Sequence, residues 1–153
     1  MMSEDEKFMA AAVREADKAA AKGEIPVGCV IVVDGKIIGR GHNLRESKND
    51  PCAHAEVVAL RKAGARTRSW RLIDATVYVS CEPCAMCAGA LVLSRVKRVV
   101  FGCKDPKAGA LESLFLIGRD QRLNHQFEVM GGVLEKECRA RLSGFFKKAR
   151  SGL

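Results

Sequence analysis

Apolar residues return at Phe8, Met9, Ala12, Val13, Ala16, Ala19 and Ala20, so a helix over residues 4 to 22 would carry one apolar face and one charged face. Gly23 follows where a helix commonly ends on a left-handed residue. The period then shortens. Val27 to Val33, the pair Asp34-Gly35, and Lys36 to Gly41 read as two strands joined by a two-residue turn, because Asp-Gly accepts the backbone angles such turns need. Asn43 to Pro51 is polar and turn-rich and is expected to be a loop, after which His54 to Ala63 returns to helical spacing.

Downstream, Asp74 to Ser80 predicts a strand, Cys84 to Ser94 a short apolar helix and Val96 to Gly102 another strand, an order that implies a right-handed parallel crossover. Residues 111 to 117 read as a short helix, 126 to 131 as a last strand and Leu134 to Arg150 as a closing amphipathic helix. The order α-β-β-α-β-α-β-α-β-α predicts an α/β fold, a mixed sheet with helices on both faces. No repeat, low-complexity tract or linker divides it. The chain is therefore expected to form a single domain over residues 1–153, long enough to bury about 70% of its unfolded surface.

Composition narrows the class. The longest apolar stretches, Val27 to Val33 and Ala88 to Leu93, fall far short of the roughly 20 residues a membrane span needs, so no membrane partner is expected. The opening MMSEDEKF is acidic where a secretory leader would be basic and then apolar, and a cytoplasmic location is the expectation. Seven cysteines are an odd number for a disulfide framework, and Cys81, Cys84 and Cys87 crowd together as metal ligands do in a reducing compartment. The formal charge is +8, from 26 basic and 18 acidic side chains, and the excess gathers between Arg61 and Arg122. Such a surface attracts phosphates and points to a nucleic-acid partner, although a merely solvated basic face has the same composition.

The chemistry concentrates in two stretches, CAHAE at 52 to 56 and CEPCAMC at 81 to 87. A Cys-x-x-Cys opening a helix sets two sulfurs on one face, and the helix N-terminus favours thiolate over thiol. Cys84 and Cys87 thus make a half-site, to which His54 at the start of another helix can add a nitrogen. Three such ligands suit zinc and leave a position for water. Glu56 can take a proton from that water and deliver it to a leaving amine, which is what hydrolytic deamination of an aromatic base requires. The pairing of His-x-Glu with Pro-Cys-x-x-Cys is the established signature of zinc-dependent base deaminases, tRNA adenosine deaminases among them. Other readings remain open. Cys52 or Cys81 would close the site as a fourth ligand, Cys81, Cys84 and Cys87 form a C-x-x-C-x-x-C of the kind that holds iron–sulfur clusters, and Cys-x-x-Cys alone is also a redox pair. Cys29, Cys103 and Cys138 read as small buried apolar residues.

At these residues the sequence resembles the cytidine deaminase-like superfamily, and within it the bacterial tRNA-specific adenosine deaminases. The likeness runs over nearly the whole chain, through EIPVG at 24 to 28, GHN at 41 to 43, DPCAHAEVVALR at 50 to 61, WRLIDA at 70 to 75, EPCAMCAGA at 82 to 90, SRVKRVVFG at 94 to 102, KDPKAGA at 104 to 110, LNH at 123 to 125 and FFKK at 145 to 148. It implies a three-layer α/β/α cytidine deaminase-like fold with a mixed, roughly five-stranded sheet. It also implies a Zn2+ cofactor held by His54, Cys84 and Cys87, with Glu56 as proton shuttle and zinc hydroxide as nucleophile. The reaction implied is conversion of the wobble adenosine, position 34 of a tRNA anticodon, to inosine, by a hydrolase acting on C–N bonds of cyclic amidines. Asn43 is similar to the asparagine that binds the target nucleotide, with Ala55 and Cys84 helping through their backbone. Asp105, Lys107, Asn124 and His125 match a region near the anticodon, and Phe145, Phe146, Lys147 and Lys148 match the helix that touches RNA. The implied partners are the tRNA anticodon stem-loop and a second copy of the chain, with the apolar helix from Ala85 to Leu93 as the homodimer surface.

Each second-tier residue has a plainer reading as well: Asn43 as a turn cap, Asp105-Pro106 as turn chemistry, His125 as a satisfied loop histidine, one of Phe145 and Phe146 as core, and His42 as structural or exposed. Cys52 and Cys81 depart from the family, which commonly has threonine and an apolar residue there. A deaminase of a free nucleobase or nucleoside on the same scaffold, and a zinc-stabilised RNA-binding module without catalysis, are the alternative functions. The wide basic surface speaks against the first and Glu56 against the second.

Overall fold

Helix α1 (Glu4–Ala21) begins with a reciprocal cap, in which the Ser3 hydroxyl accepts from the Glu6 amide at 3.1 Å and the Glu6 carboxylate accepts from the Ser3 amide at 3.0 Å. This pairing satisfies donors that a first helical turn leaves free. The structure is a computed structural model and describes residues 1–152. The α1 face predicted from spacing is buried from Phe8 to Ala19, whereas Ala20, also assigned to it, is exposed, and Gly23 beyond its end has φ +76°.

Strands β1 (Gly28–Val33) and β2 (Lys36–His42) form the expected hairpin, with Asp34 and Gly35 both at positive φ. Strand β3 (Thr76–Cys81) pairs antiparallel with β1, while β4 (Arg98–Cys103) and β5 (Glu128–Met130) add in parallel, giving the order β2-β1-β3-β4-β5. Alternate residues serve opposite faces. Cys29, Ile31, Val77, Val79, Val99 and Phe101 meet helices α2 (Ala55–Thr67) and α3 (Ala85–Leu93). Val30, Val32, Tyr78 and Val100 meet α1 and Cys138 of α4 (Glu135–Arg150). The result is the mixed three-layer α/β/α architecture that the sequence implied. No helix among the described residues is long and apolar enough to cross a membrane.

Two features bring the functional end together. Gly39 and Gly41 lie on the β2 face that meets α2, and a Cβ on Gly41 would stand 2.5 Å from the Ala55 carbonyl and 2.6 Å from the Ala59 amide. Backbone therefore packs on backbone, and Ala55, Ala59 and Ala63 present the matching small side of the helix. Also, α2 and α3 both begin at the edge of the sheet where β2, β3 and β4 finish, the usual place for ligands in such folds.

One element differs from expectation. Residues 111 to 117 form no α-helix; turns are followed by a single 3-10 turn at Ile117–Arg119. The amides that a helix would need go elsewhere: Leu114 donates to the Gly109 carbonyl and Ile117 to the Ala110 carbonyl, five and seven residues back, while those of Leu111, Glu112 and Ser113 donate to the carboxylate of Glu82. Helix α2 also runs past Ala63 to Thr67 and stops on Arg68 at φ 55°.

Candidate metal centre and substrate cavity

His54 and Cys84 are not the first helical residues but the extended residues that precede α2 and α3, and Cys87 follows one turn into α3. Their donors converge: His54 Nδ1 is 3.6 Å from Cys84 Sγ and 3.5 Å from Cys87 Sγ, and the three ligand atoms lie within 4.8 Å of one another. Tetrahedral zinc, with bonds of about 2.3 Å to sulfur and about 2.0 Å to nitrogen, sets sulfur and nitrogen about 3.5 Å apart. The donor set therefore fits zinc as it stands. Among the described residues it is the one cluster of three such groups.

The electrostatics agree with the geometry. Hydrogen bonds from the Cys87 thiol and then from the His54 ring hold the Cys84 thiol down to about 3, at a helix start that also favours negative charge. Cys87, as the donor in that pair and as a buried group, is pushed the other way. The pair thus holds its first thiolate on Cys84, in the form that zinc binds. His54 is raised by its bond to Cys84. Glu56 is 4% exposed, and burial, reinforced by the Cys84 charge, pushes its carboxyl up to about 7. A carboxyl near the working pH both accepts and returns a proton readily. On a shared helix Glu56 would point about 200° from His54, but His54 lies outside the helix, and both line one cavity.

That cavity, of about 190 Å³, is walled by Ile25, Val27, Asn43, Ala55 and Asp105 beside the metal residues. Asn43 caps a turn and faces the cavity as well, accepting from the Arg45 amide at 3.1 Å and donating to the Ile25 carbonyl at 3.4 Å. Asp105 likewise accepts from the amides of Lys107 and Ala108 at 3.0 and 3.1 Å. A wider hollow of about 730 Å³ shares Ile25, Val27, Cys81 and Asp105 with the first and continues over Lys107 to α4. There Leu142, Phe146 and Arg150 face it. Phe145, Lys147 and Lys148 do not. Phe145 is half-buried, edge-on to Phe146 at 5.6 Å, and the exposed Phe146 leaves neither ring in the core. Asn124 and His125 also lie outside both hollows. Asn124 is exposed, and His125 Nε2 donates to the Val96 carbonyl at 2.7 Å, at the opposite end of β4.

Neither extra cysteine joins the cluster. Cys52 is exposed, and Cys81 sits in register with Cys103 on the next strand, whose thiol donates to the Ser80 carbonyl at 3.5 Å. His42 is buried, its Nδ1 3.1 Å from Glu15 and its Nε2 accepting from Lys22 at 2.9 Å. Two buried carboxylates that shape the site, Glu24 and Glu82, are not among the site residues singled out in the sequence. Glu24 accepts from the amides of Glu46 and Ser47, fixing the loop that carries Arg45 at the cavity. Glu82 gathers the loop after β4. The one signal available was an acidic residue opening an apolar or proline-led turn, EIP and EPC.

Residues 2–103 match the model of the cytidine and deoxycytidylate deaminase zinc-binding region. The tRNA-specific adenosine deaminase of Bacillus subtilis (strain 168) is 51% identical over 149 residues, covering 97% of this chain and 92% of that protein. The tRNA-specific adenosine deaminase of Haemophilus influenzae is 52% identical over 147 residues, 95% of this chain and 85% of that protein. A solved structure from work on A-to-I editing by tRNA:A34 deaminases at the wobble position superposes with a TM-score of 0.86 at 38% identity, covering 89% of this chain and 99% of that one.

Proposed function

This chain belongs to the family of tRNA-specific adenosine deaminases, zinc-dependent hydrolases, and we propose that it converts the wobble adenosine of a tRNA anticodon to inosine, with Glu56 as proton carrier and His54, Cys84 and Cys87 as zinc ligands. The observation that carries the reading is one buried carboxyl beside a His/Cys/Cys cluster that already has zinc's spacing. When bound, zinc supplies the Lewis acidity that makes water a nucleophile at neutral pH.

The chain's own residues do the rest. Asn43 and the backbone at Ala55 hold the base so that its C6 faces the attacking water. As the C–O bond forms, Glu56 takes a proton from the water. The C–N bond then breaks and the amine departs as ammonia. Of the two protons that water brings, one ends on N1 of the product and the other on ammonia. Glu56 suits this traffic because the other cavity carboxylates, Glu82 and Asp105, are held by loop amides. The apolar walls at Ile25 and Val27 exclude bulk water.

A polynucleotide fits the surroundings better than a free base does. The hollow beyond the cavity carries Lys104, Lys107 and Arg150 beside Phe146, cations for phosphates and a ring for stacking. Asp105 would line the path of the anticodon loop. Asn124, His125, Phe145, Lys147 and Lys148 would reach RNA only outside these hollows, along the flank of α4 or across a pair of chains. The pair is itself part of the proposal: Trp70 and Leu93, 60% and 69% exposed, rim an apolar hollow of about 590 Å³ between α2 and α3 that a second copy would cover. We place the enzyme in the cytoplasm, where its tRNA substrate is, with residues 1–153 acting as one domain.

Glu56→Ala tests the assignment. It should bind zinc as the parent does while losing roughly 10²- to 10⁴-fold in turnover of a stem-loop substrate; retained turnover would remove Glu56 from the mechanism.

A further inference from the structure

The most heavily used side chain near the site is one that the mechanism does not employ. Glu82 is 3% exposed and lies two residues ahead of Cys84, yet it does not join the metal cluster. One of its oxygens accepts from the amides of Leu111, Glu112 and Ser113 at 3.2, 2.8 and 2.9 Å, and the other from the Asp105 amide at 3.1 Å and the Ser113 hydroxyl. A fifth main-chain tie runs beside it, from the Ala110 amide to the Pro83 carbonyl at 2.8 Å. Gly109 lets the carboxylate in, since a Cβ there would stand 2.3 Å from the Glu82 carboxyl carbon. The loop so gathered contributes Asp105 and Ala108 to the cavity wall and Lys107 to the hollow beyond.

Four main-chain donors converging on one buried carboxylate make a rigid hub, because a charged acceptor binds each more strongly than a neutral one. We propose that Glu82 is a positioning residue for substrate: it locks the 105–113 loop onto the Pro83–Cys84 turn, so that the surface receiving the nucleotide keeps a fixed distance from the metal half-site. This rests on the deaminase reading and adds to it which residue sets the nucleotide-binding wall. Glu82 lies in the cavity wall with both oxygens engaged by the loop, so it acts through the loop and not as a ligand of nucleotide or metal. Its loss acts through Asp105, Lys107 and Ala108, and shows as weaker capture of RNA and not as weaker chemistry.

The test is Glu82→Gln in the full zinc-loaded chain, which keeps the shape but turns an amide donor toward donors. Expected are a roughly 10- to 100-fold rise in KM for a wobble-adenosine stem-loop, a kcat close to that of the parent, unchanged zinc content, and hydrogen exchange roughly tenfold faster at the amides of Asp105, Leu111, Glu112 and Ser113 but not at Val77 and Val79. Stem-loop affinity is also read by fluorescence anisotropy, which needs no turnover, so a parent chain that binds RNA without deaminating it would sink the deaminase reading and leave this test intact. Loosened amides with unchanged KM and affinity would overturn the proposal, as would loss of zinc and kcat with KM untouched. If Glu82→Gln does not fold, Ser113→Ala removes a single donor; it should raise KM roughly three- to tenfold, and an unchanged KM there overturns the proposal equally.

Discussion

Placing a methyl group on Gly41 should damage both stability and catalysis, by an amount the packing sets. The Cβ would lie 2.5 Å from the Ala55 carbonyl and 2.6 Å from the Ala59 amide, and ordinary contact begins at 3.4 Å. Those neighbours are backbone, so no rotamer change relieves the clash, and the N-terminal turn of α2 has to retreat by about 0.9 Å. Overpacking of this kind costs about 3 kcal/mol, a fall of roughly 6–12 °C in Tm for a chain of this length. The same retreat carries His54 and Glu56 with it. A displacement near 1 Å at the reacting groups costs roughly 100-fold in rate, so Gly41→Ala should lose about that much in kcat/KM even at a temperature where it is folded. Calorimetry and stem-loop kinetics on Gly41→Ala and Gly64→Ala make the comparison, since Gly64 lies in the same helix but a Cβ there meets nothing nearer than the Ser69 carbonyl at 3.4 Å. Gly64→Ala should gain about 0.5–1 kcal/mol and keep full activity. A Gly41→Ala chain that melts with the parent and keeps kcat/KM within about threefold would refute the idea that backbone contact between β2 and α2 sets the site.

Four further outcomes follow from the same structure. Cys84→Ser, Cys87→Ser or His54→Ala should each lower retained zinc roughly tenfold or more, read by elemental analysis after dialysis, and full retention in any of them would remove that residue from the ligand set. Zinc should shield Cys84 and Cys87 from a thiol reagent while exposed Cys52 reacts regardless; shielding of Cys52 or Cys81 would make either a ligand. Arg98 donates to both oxygens of Asp5 at 2.9 and 2.8 Å and Tyr78 adds a third bond at 2.8 Å, holding the Asp5 carboxyl below its usual 3.8. The stability this contributes is complete above the usual value and lost as pH falls through the lower folded one, so Asp5→Asn should cost roughly 2 kcal/mol at pH 7 in urea titrations, with the difference shrinking as pH falls below 3.8; a pH-independent difference would contradict it. Lys107→Ala and Arg150→Ala should each weaken stem-loop binding and reduce the slope of log affinity against log salt by about 1, whereas unchanged slopes would take the wide hollow out of the RNA path.

The residues that could be read from the sequence are those whose signal is local. Asp34-Gly35 specifies its own turn, the α1 face follows from the spacing of Phe8 to Ala19, and Pro-Cys-x-x-Cys sets two members of the His/Cys/Cys cluster at one helix start. His54 and Glu56 were legible only in combination with that second motif, and the backbone geometry that separates their roles was not, because His54 stands before the helix. What stayed hidden depends on contacts far apart in the chain. Residues 111 to 117 have helical spacing, but the segment is drawn onto Glu82, about thirty positions earlier, and its later amides bond five and seven residues back. His42 gave no sign of its buried pairing with Glu15. Periodicity placed Phe145 and Phe146 on a helix, but the packing of Cys138 decides how α4 sits, and it turns Phe146 and Arg150 toward the hollow. Order along the chain likewise does not say that Asn124 and His125 lie at the end of the sheet away from the metal cluster.

The central claim is best tested on the RNA itself. Zinc-loaded protein is incubated with an anticodon stem-loop carrying adenosine at the wobble position, with the same loop carrying it one position away, and with free adenosine, cytidine and guanine, and the products are mapped by mass spectrometry. Inosine should form at the wobble position and nowhere else. Ammonia released from a free base or nucleoside with the RNA left unchanged would contradict it.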